Sequence, residues 1–113
     1  MATKTFQVKK YELILGDAME AVWRGIPIKA RGILDCRGST HHLLIYFLTP
    51  DSPAPHPIYD PANKVGAIFL RFSEMAQFVD LVRNEEPVYA YLNDSSPEWN
   101  SISTSKEPVG EAE

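Results

Sequence analysis

Between residues 64 and 94 the spacing of hydrophobic positions changes from two residues to three or four, and then back to two. Four apolar side chains in the middle of this stretch repeat at i, i+3, i+4 and i+7: Met75, Phe78, Val79 and Val82. This spacing is typical of an amphipathic helix with one face on a core. Ser73 is a candidate N-cap, and Pro87 disfavours helical backbone at the residue before it. The pattern therefore predicts one principal helix at about 73–85.

Alternating hydrophobic and polar positions predict β-strands on both sides of this helix. The predicted strands span residues 5–15, 26–36, 40–48, 65–72 and 88–93, with a sixth candidate at 17–24. Residues 40–48 are apolar on both faces, which predicts a place in the middle of the sheet. The apolar positions change parity near Lys9 and Lys10, and Gly32 interrupts another strand, so we expect a bulge or bend at each place.

Residues 17–24 allow two interpretations. Asp17 followed by Glu20 resembles the capping box that begins a helix. The same segment is also compatible with a strand that pairs back on residues 11–15. Eight residues form a marginal helix unless tertiary packing stabilises it, so we favour the strand. Gly16 and Asp17 predict a break between this strand and the preceding one.

Together these elements predict an α+β fold, with a curved, mainly antiparallel sheet of five to six strands and the helix packed on one face. We expect a single domain over residues 1–104. Residues 49–63 carry five of the nine prolines, which predicts a loop that docks partly onto the body through Ile58 and Tyr59. Residues 105–113 are acidic and poor in apolar side chains, which predicts a flexible C-terminal tail.

The composition limits the cellular locations in which the protein is expected. Hydrophobic residues make up 44% of the 113, which is enough for a core. No stretch reaches the roughly 18 apolar residues of a membrane span. The first ten residues lack the apolar run of a signal peptide, and Cys36 has no second cysteine for an internal disulfide. We therefore expect a cytoplasmic protein without a membrane partner.

The side chains that could catalyse a reaction or bind a metal form no recognisable motif. The chain has no GxSxG, CxxC or HExxH sequence and no glycine-rich phosphate loop. His41 and His42 are adjacent on a predicted strand, so they point to opposite faces and cannot bind one ion together. The sequence thus predicts no catalytic residue, no metal site and no cofactor. A small enzyme with a site near the 49–63 loop is a second alternative, because long loops often carry function.

A first alternative function is the binding of single-stranded nucleic acid. Lys29 and Arg31 share one face of the basic strand 26–37, and Tyr89 and Tyr91 share one face of the last strand. Single strands are bound by cations on the phosphates and by exposed rings that stack on the bases. The net charge of −4 argues against this function, since strong nucleic-acid binders are usually basic.

The leading hypothesis is a small non-enzymatic protein-interaction or regulatory module that forms a homo-oligomer. So short a domain with strands that are apolar on both faces has sheet edges to cover. Pairing with a second copy is a common way to cover them. The expected partner is therefore another protein or a second copy of the chain.

Overall fold

The computed structural model describes residues 2–105, which form an α+β fold with one principal helix and eight strands in two sheets. The fold class is as predicted, and the number of strands is higher than the five to six expected. The strands β1 to β8 span Thr3–Gln7, Lys10–Trp23, Ile26–Arg37, His42–Leu48, Ile58–Asp60, Val65–Arg71, Tyr89–Asn93 and Ser101–Ser103, and the helix α1 spans Met75–Asn84. Short 3-10 helices cover Phe72–Glu74 and Pro97–Trp99.

The larger sheet has the strand order β2-β3-β4-β6-β5. Each pair of adjacent strands in this sheet is antiparallel except β4 and β6, which run parallel to each other. The strand β4 lies in the middle, as its apolar faces predicted. The expectation of a loop throughout 49–63 is wrong for Ile58–Asp60, which pair with β6 as β5. Pro57 and Pro61 flank this short strand and do not interrupt its hydrogen bonds, so proline density did not prevent it.

The smaller sheet has the order β1-β7-β8 and shares a core with the larger one. Phe6 and Leu92 of the smaller sheet belong to the same buried cluster as Leu34 and Phe47 of the larger sheet. Gly66 permits this close approach, because a Cβ there would lie 2.5 Å from Cδ2 of Leu92. The chain leaves the smaller sheet for the larger one at residues 8–9, which explains the change of parity predicted as a bend.

The helix α1 follows directly on the 3-10 turn at Phe72–Glu74. Met75, Phe78 and Val82 pack on the shared core, which confirms the predicted apolar face. The helix ends at Asn84, close to the predicted end. The proposed N-cap is wrong, because Ser73 lies inside the 3-10 turn and no side chain caps it.

The long hairpin of β2 and β3 curls across one face of the larger sheet. Trp23 at its tip packs on Phe69 of β6, with ring centroids 5.3 Å apart, and Arg24 lies 3.6 Å from a carboxylate oxygen of Asp60 in β5. The strand favoured for 17–24 is confirmed as the second half of β2. Its predicted pairing with residues 11–15 is wrong, because both segments belong to one strand and residues 19–23 pair with residues 26–30 of β3. The predicted break at Gly16 and Asp17 is instead a bulge inside β2, since Leu15 pairs with Gly32 and Met19 with Ala30. The bulge predicted at Gly32 is confirmed by a register shift against β4.

The predicted acidic tail lies outside the described residues except for Ser105. Within residues 2–105, no helix has the length and apolar character needed to cross a membrane.

Candidate functional site

The outer side of β2 is an edge of the larger sheet. The strand β2 has 14 residues and is the longest strand of the described chain. Among the described residues, β3 is the only strand that pairs with β2. An edge strand presents a row of backbone N–H and C=O groups that another strand can pair with. Lys10–Leu15 is the regular half of this edge, because the bulge begins after Leu15.

Several large apolar side chains on the β2–β3 hairpin are exposed. They are Tyr11, Ile14, Leu15, Val22 and Ile26, of which Leu15 exposes 61% of its surface and Ile14 exposes 52%. Tyr11 and Leu15 share a face with Leu13, which packs against the main core, and Ile14 points to the other face. Three exposed apolar residues thus flank one short stretch of unpaired edge.

A groove of about 500 Å³ lies beside the start of this edge, between β2 and the end of α1. Tyr11 and Val82 supply part of its apolar lining. Its charged residues are of opposite sign on its two sides: Lys9 and Lys10 come from the strand side, and Glu85 and Glu86 from the helix side. Within residues 2–105 none of these four forms an ion pair.

A second polar constellation lies around Asp35 in β3. Its buried carboxylate accepts a hydrogen bond from Nδ1 of His42 at 3.1 Å and another from Nε of Arg37 at 2.8 Å. Glu12 lies 3.9 Å from the same Arg37 nitrogen. Burial of Tyr46 and the charge of Asp35 raise the pKa of that phenol. The cluster therefore joins β2, β3 and β4 on one face and fixes the ring of His42.

The hydrogen bond to Asp35 sets which His42 nitrogen can react. Because Nδ1 donates to the carboxylate, Nε2 is the acceptor in the neutral ring, which is how a carboxylate orients a histidine in catalytic dyads. Asp35 and His42 lie on either side of the short connection between β3 and β4, so the register of a hairpin there could have revealed this pair. The sequence interpretation missed it.

Cys36 belongs to the main core, and His41 lies at its border. Burial raises the pKa of the Cys36 thiol to about 12, and the charge of Asp35 adds to the shift. His41 lies beside the rings of Phe6 and Tyr59. Its pKa is lowered by desolvation and by two nearby lysines. Within the part of the chain that the structure describes, no group of three metal-ligating side chains is assembled.

The residues predicted to bind nucleic acid do not form one surface. Lys29 and Arg31 are both exposed on β3 in the larger sheet, whereas Tyr89 and Tyr91 lie on β7 in the smaller sheet. The expectation of two exposed rings is wrong for Tyr91, which is buried, and its hydroxyl accepts a hydrogen bond from Asn93. Tyr89 is half-buried. Tyr91 pairs with Ser101 of β8, and the 3-10 turn at Pro97–Trp99 contacts β7. The alternation of residues 88–93 shows neither of these neighbours.

Comparisons of this chain with protein-family models, with curated proteins and with solved structures give no match. The function therefore has to be argued from the surfaces described above.

Proposed function

We propose that this protein is a small protein-interaction module that acts as a homo-oligomer, in which two copies pair along the Lys10–Leu15 edge of β2. The observation that carries the proposal is the exposure of Tyr11, Ile14 and Leu15 on an edge whose outer backbone groups face no strand within residues 2–105. Removal of such side chains from water contributes about 25 cal/mol per Å² of apolar surface, before the entropic cost of association is subtracted. A cytoplasmic location remains part of the proposal, supported by the single free thiol.

The pairing is antiparallel, because a two-fold axis that relates two identical edges reverses the strand direction. Partners in antiparallel strands point to the same face, so their residue numbers add to an even number. A register centred on Leu13 places Tyr11 opposite Leu15 of the second copy, on the face that carries the helix. This register covers the exposed apolar side chains and ends before the bulge in β2.

The self-complementary character of the edge favours a second copy over an unrelated partner. In the register centred on Leu13, each copy contributes the same apolar pair, with Tyr11 of one copy opposite Leu15 of the other.

The other half of β2 is a poorer edge for pairing. The bulge at 16–18 and the curl of the hairpin twist this half away from the line of Lys10–Leu15. Such bulges are a common protection against edge-to-edge association. Val22 is more exposed than Leu15, at 72%, but it lies in this twisted half. It therefore provides a matched control position.

The test is the substitution Leu15→Lys, measured by size-exclusion chromatography with light scattering. A lysine opposite Tyr11 of the second copy buries a charge in the proposed interface, so the dimer of the wild type should become a monomer. Val22→Lys makes the same chemical change on the same strand and should leave the dimer intact. A monomeric wild-type protein would refute the proposal, and so would a dimer that Leu15→Lys does not weaken.

The alternative of an enzyme at the 49–63 loop gains no support from its serine. The Ser52 hydroxyl accepts a hydrogen bond from the Lys29 backbone and donates one to the carbonyl of Pro53. Ser52 therefore attaches the loop to β3. His56 is exposed in the same loop.

A further inference from the structure

A cavity of about 380 Å³ lies where β3, the end of β6 and the segment after β4 meet. Its lining comprises Arg31, Leu48, Pro50, Arg71, Phe72 and Ser73. Two arginines from strands that are not neighbours thus border one small space. The proposed interface at Lys10–Leu15 uses none of these residues.

Arg71 is held in place by one end of its guanidinium group. Its Nη1 donates to the carbonyl oxygens of Thr49 at 2.8 Å and Ser52 at 2.9 Å. Within residues 2–105 neither Nε nor Nη2 forms a hydrogen bond or an ion pair. These two nitrogens form the side of the guanidinium that binds carboxylate or phosphate with two parallel hydrogen bonds. Arg71 therefore has one side fixed by the fold and the other side available.

Arg31 is held by an aromatic ring. Its guanidinium carbon lies 4.5 Å from the ring centroid of Phe72, which is a cation–π contact. Among the described residues no carboxylate pairs with it. Arg31 borders the same cavity as Arg71.

Ser73 also borders the cavity, and it makes no capping hydrogen bond in the 3-10 turn to which it belongs. Two acidic residues near the cavity would repel an anion. Glu74 belongs to the same turn as Ser73. The hydrogen bond from the Thr49 hydroxyl lowers the pKa of Asp51, and the nearby charges of Lys29 and Arg71 lower it further.

We infer that this cavity binds a phosphate group. A tetrahedral phosphate has enough oxygens to accept hydrogen bonds from both guanidinium groups and from Ser73 at once, and two arginines without carboxylate partners neutralise its charge. The group belongs either to a small phosphate ester or to the backbone of a single-stranded nucleic acid. For the nucleic acid, Arg31 and the nearby Lys29 would keep the role predicted from the sequence.

The first experiment titrates inorganic phosphate into the full-length protein at low salt and follows the arginine Nε–H signals by NMR. The signals of Arg31 and Arg71 should shift with saturation. Arg31→Gln should weaken binding by about tenfold or more, as expected for the loss of a charge-assisted hydrogen bond. Arg83→Gln removes the same charge from the exposed last turn of α1 and should leave binding unchanged.

Asp51→Asn gives a change of opposite sign. Removing this acidic neighbour should tighten phosphate binding, because its charge opposes that of the ligand. The inference is overturned if phosphate shifts neither arginine signal, or if Arg31→Gln and Arg83→Gln weaken binding equally, since equal losses would show an effect of net charge alone.

The source of the phosphate is decided by a second comparison, between a nucleoside monophosphate and a single-stranded oligothymidine at equal phosphate concentration. Tighter binding of the oligonucleotide, with a steep loss on added salt, identifies a nucleic-acid backbone. Tighter binding of the monophosphate identifies a small ester. In both cases Arg31→Gln must weaken the preferred ligand, and a preference that survives this substitution would refute the assigned site.

Discussion

At the scale of single residues, the neighbours Asp35 and Cys36 show how strand alternation separates two environments. The carboxylate of Asp35 accepts one hydrogen bond from Arg37 and another from His42. Cys36 points to the opposite face and belongs to the main core. The carboxylate is therefore buried with its hydrogen bonds satisfied, whereas the thiol is buried among apolar side chains that disfavour a thiolate.

The raised pKa of Cys36 predicts a stability that falls in alkaline solution. The thiol ionises near 9.0 in the unfolded chain and near 12 in the folded one, so above pH 9 only the unfolded state loses this proton. The free energy of unfolding should therefore decrease by about 1.4 kcal/mol per pH unit between these values, from this group alone. Urea unfolding at several pH values measures the slope.

Cys36→Ala is the control for this slope, because it removes the titrating group from the same position. The variant should be less stable at pH 7 and should lose less stability than the wild type between pH 9 and pH 10.5. Equal slopes for the two proteins would contradict the assignment to Cys36.

At the scale of elements, the curl of the β2–β3 hairpin rests on its apolar tip more than on its ion pair. Trp23 packs against Phe69 and Tyr46, which are stacked on each other. Arg24 pairs with Asp60, but its side chain is 59% exposed, and exposed pairs contribute little to stability. The turn itself fits the hairpin twist, since Arg24 and Gly25 both have positive φ.

We expect Trp23→Ala to lower the free energy of unfolding by about 2–3 kcal/mol, because it removes a half-buried ring from this cluster. Trp99→Ala makes the same truncation at a more exposed residue and should cost clearly less. Arg24→Gln should cost less than about 1 kcal/mol. Thermal and denaturant unfolding measure the free energy of unfolding of all three variants. If Trp99→Ala is destabilised more than Trp23→Ala, the packing of Trp23 does not stabilise the curled hairpin.

At the scale of the whole molecule, the two sheets share one core, and no strand of residues 2–105 pairs with the outer edge of the long β2. A dimer formed along this edge makes stability depend on protein concentration, because dissociation accompanies unfolding. We expect the melting temperature of the wild type to rise with concentration and that of Leu15→Lys to remain constant. Calorimetry over a wide concentration range measures both, and a wild-type melting temperature independent of concentration would argue against the dimer.

The sequence by itself determined the elements that are recognised by local spacing. The spacing of the apolar positions identified α1 and β4, because the residues on a buried face of a helix or strand are apolar and recur at the period of that element. The pair of Asp35 and His42 was also within reach of the sequence, since these residues flank one short turn.

Only the tertiary structure decided which strands became neighbours. The division into two sheets, the exposed edge of β2 and the burial of Tyr91 depend on partners distant in the chain, which local spacing does not report. Arg31 and Arg71 are 40 positions apart. They border one cavity because β4 pairs with both β3 and β6 and so brings the middle of β3 near the end of β6. Alternation showed which side chains share a face, but long-range pairing decided whether that face meets the core, a neighbouring strand or solvent.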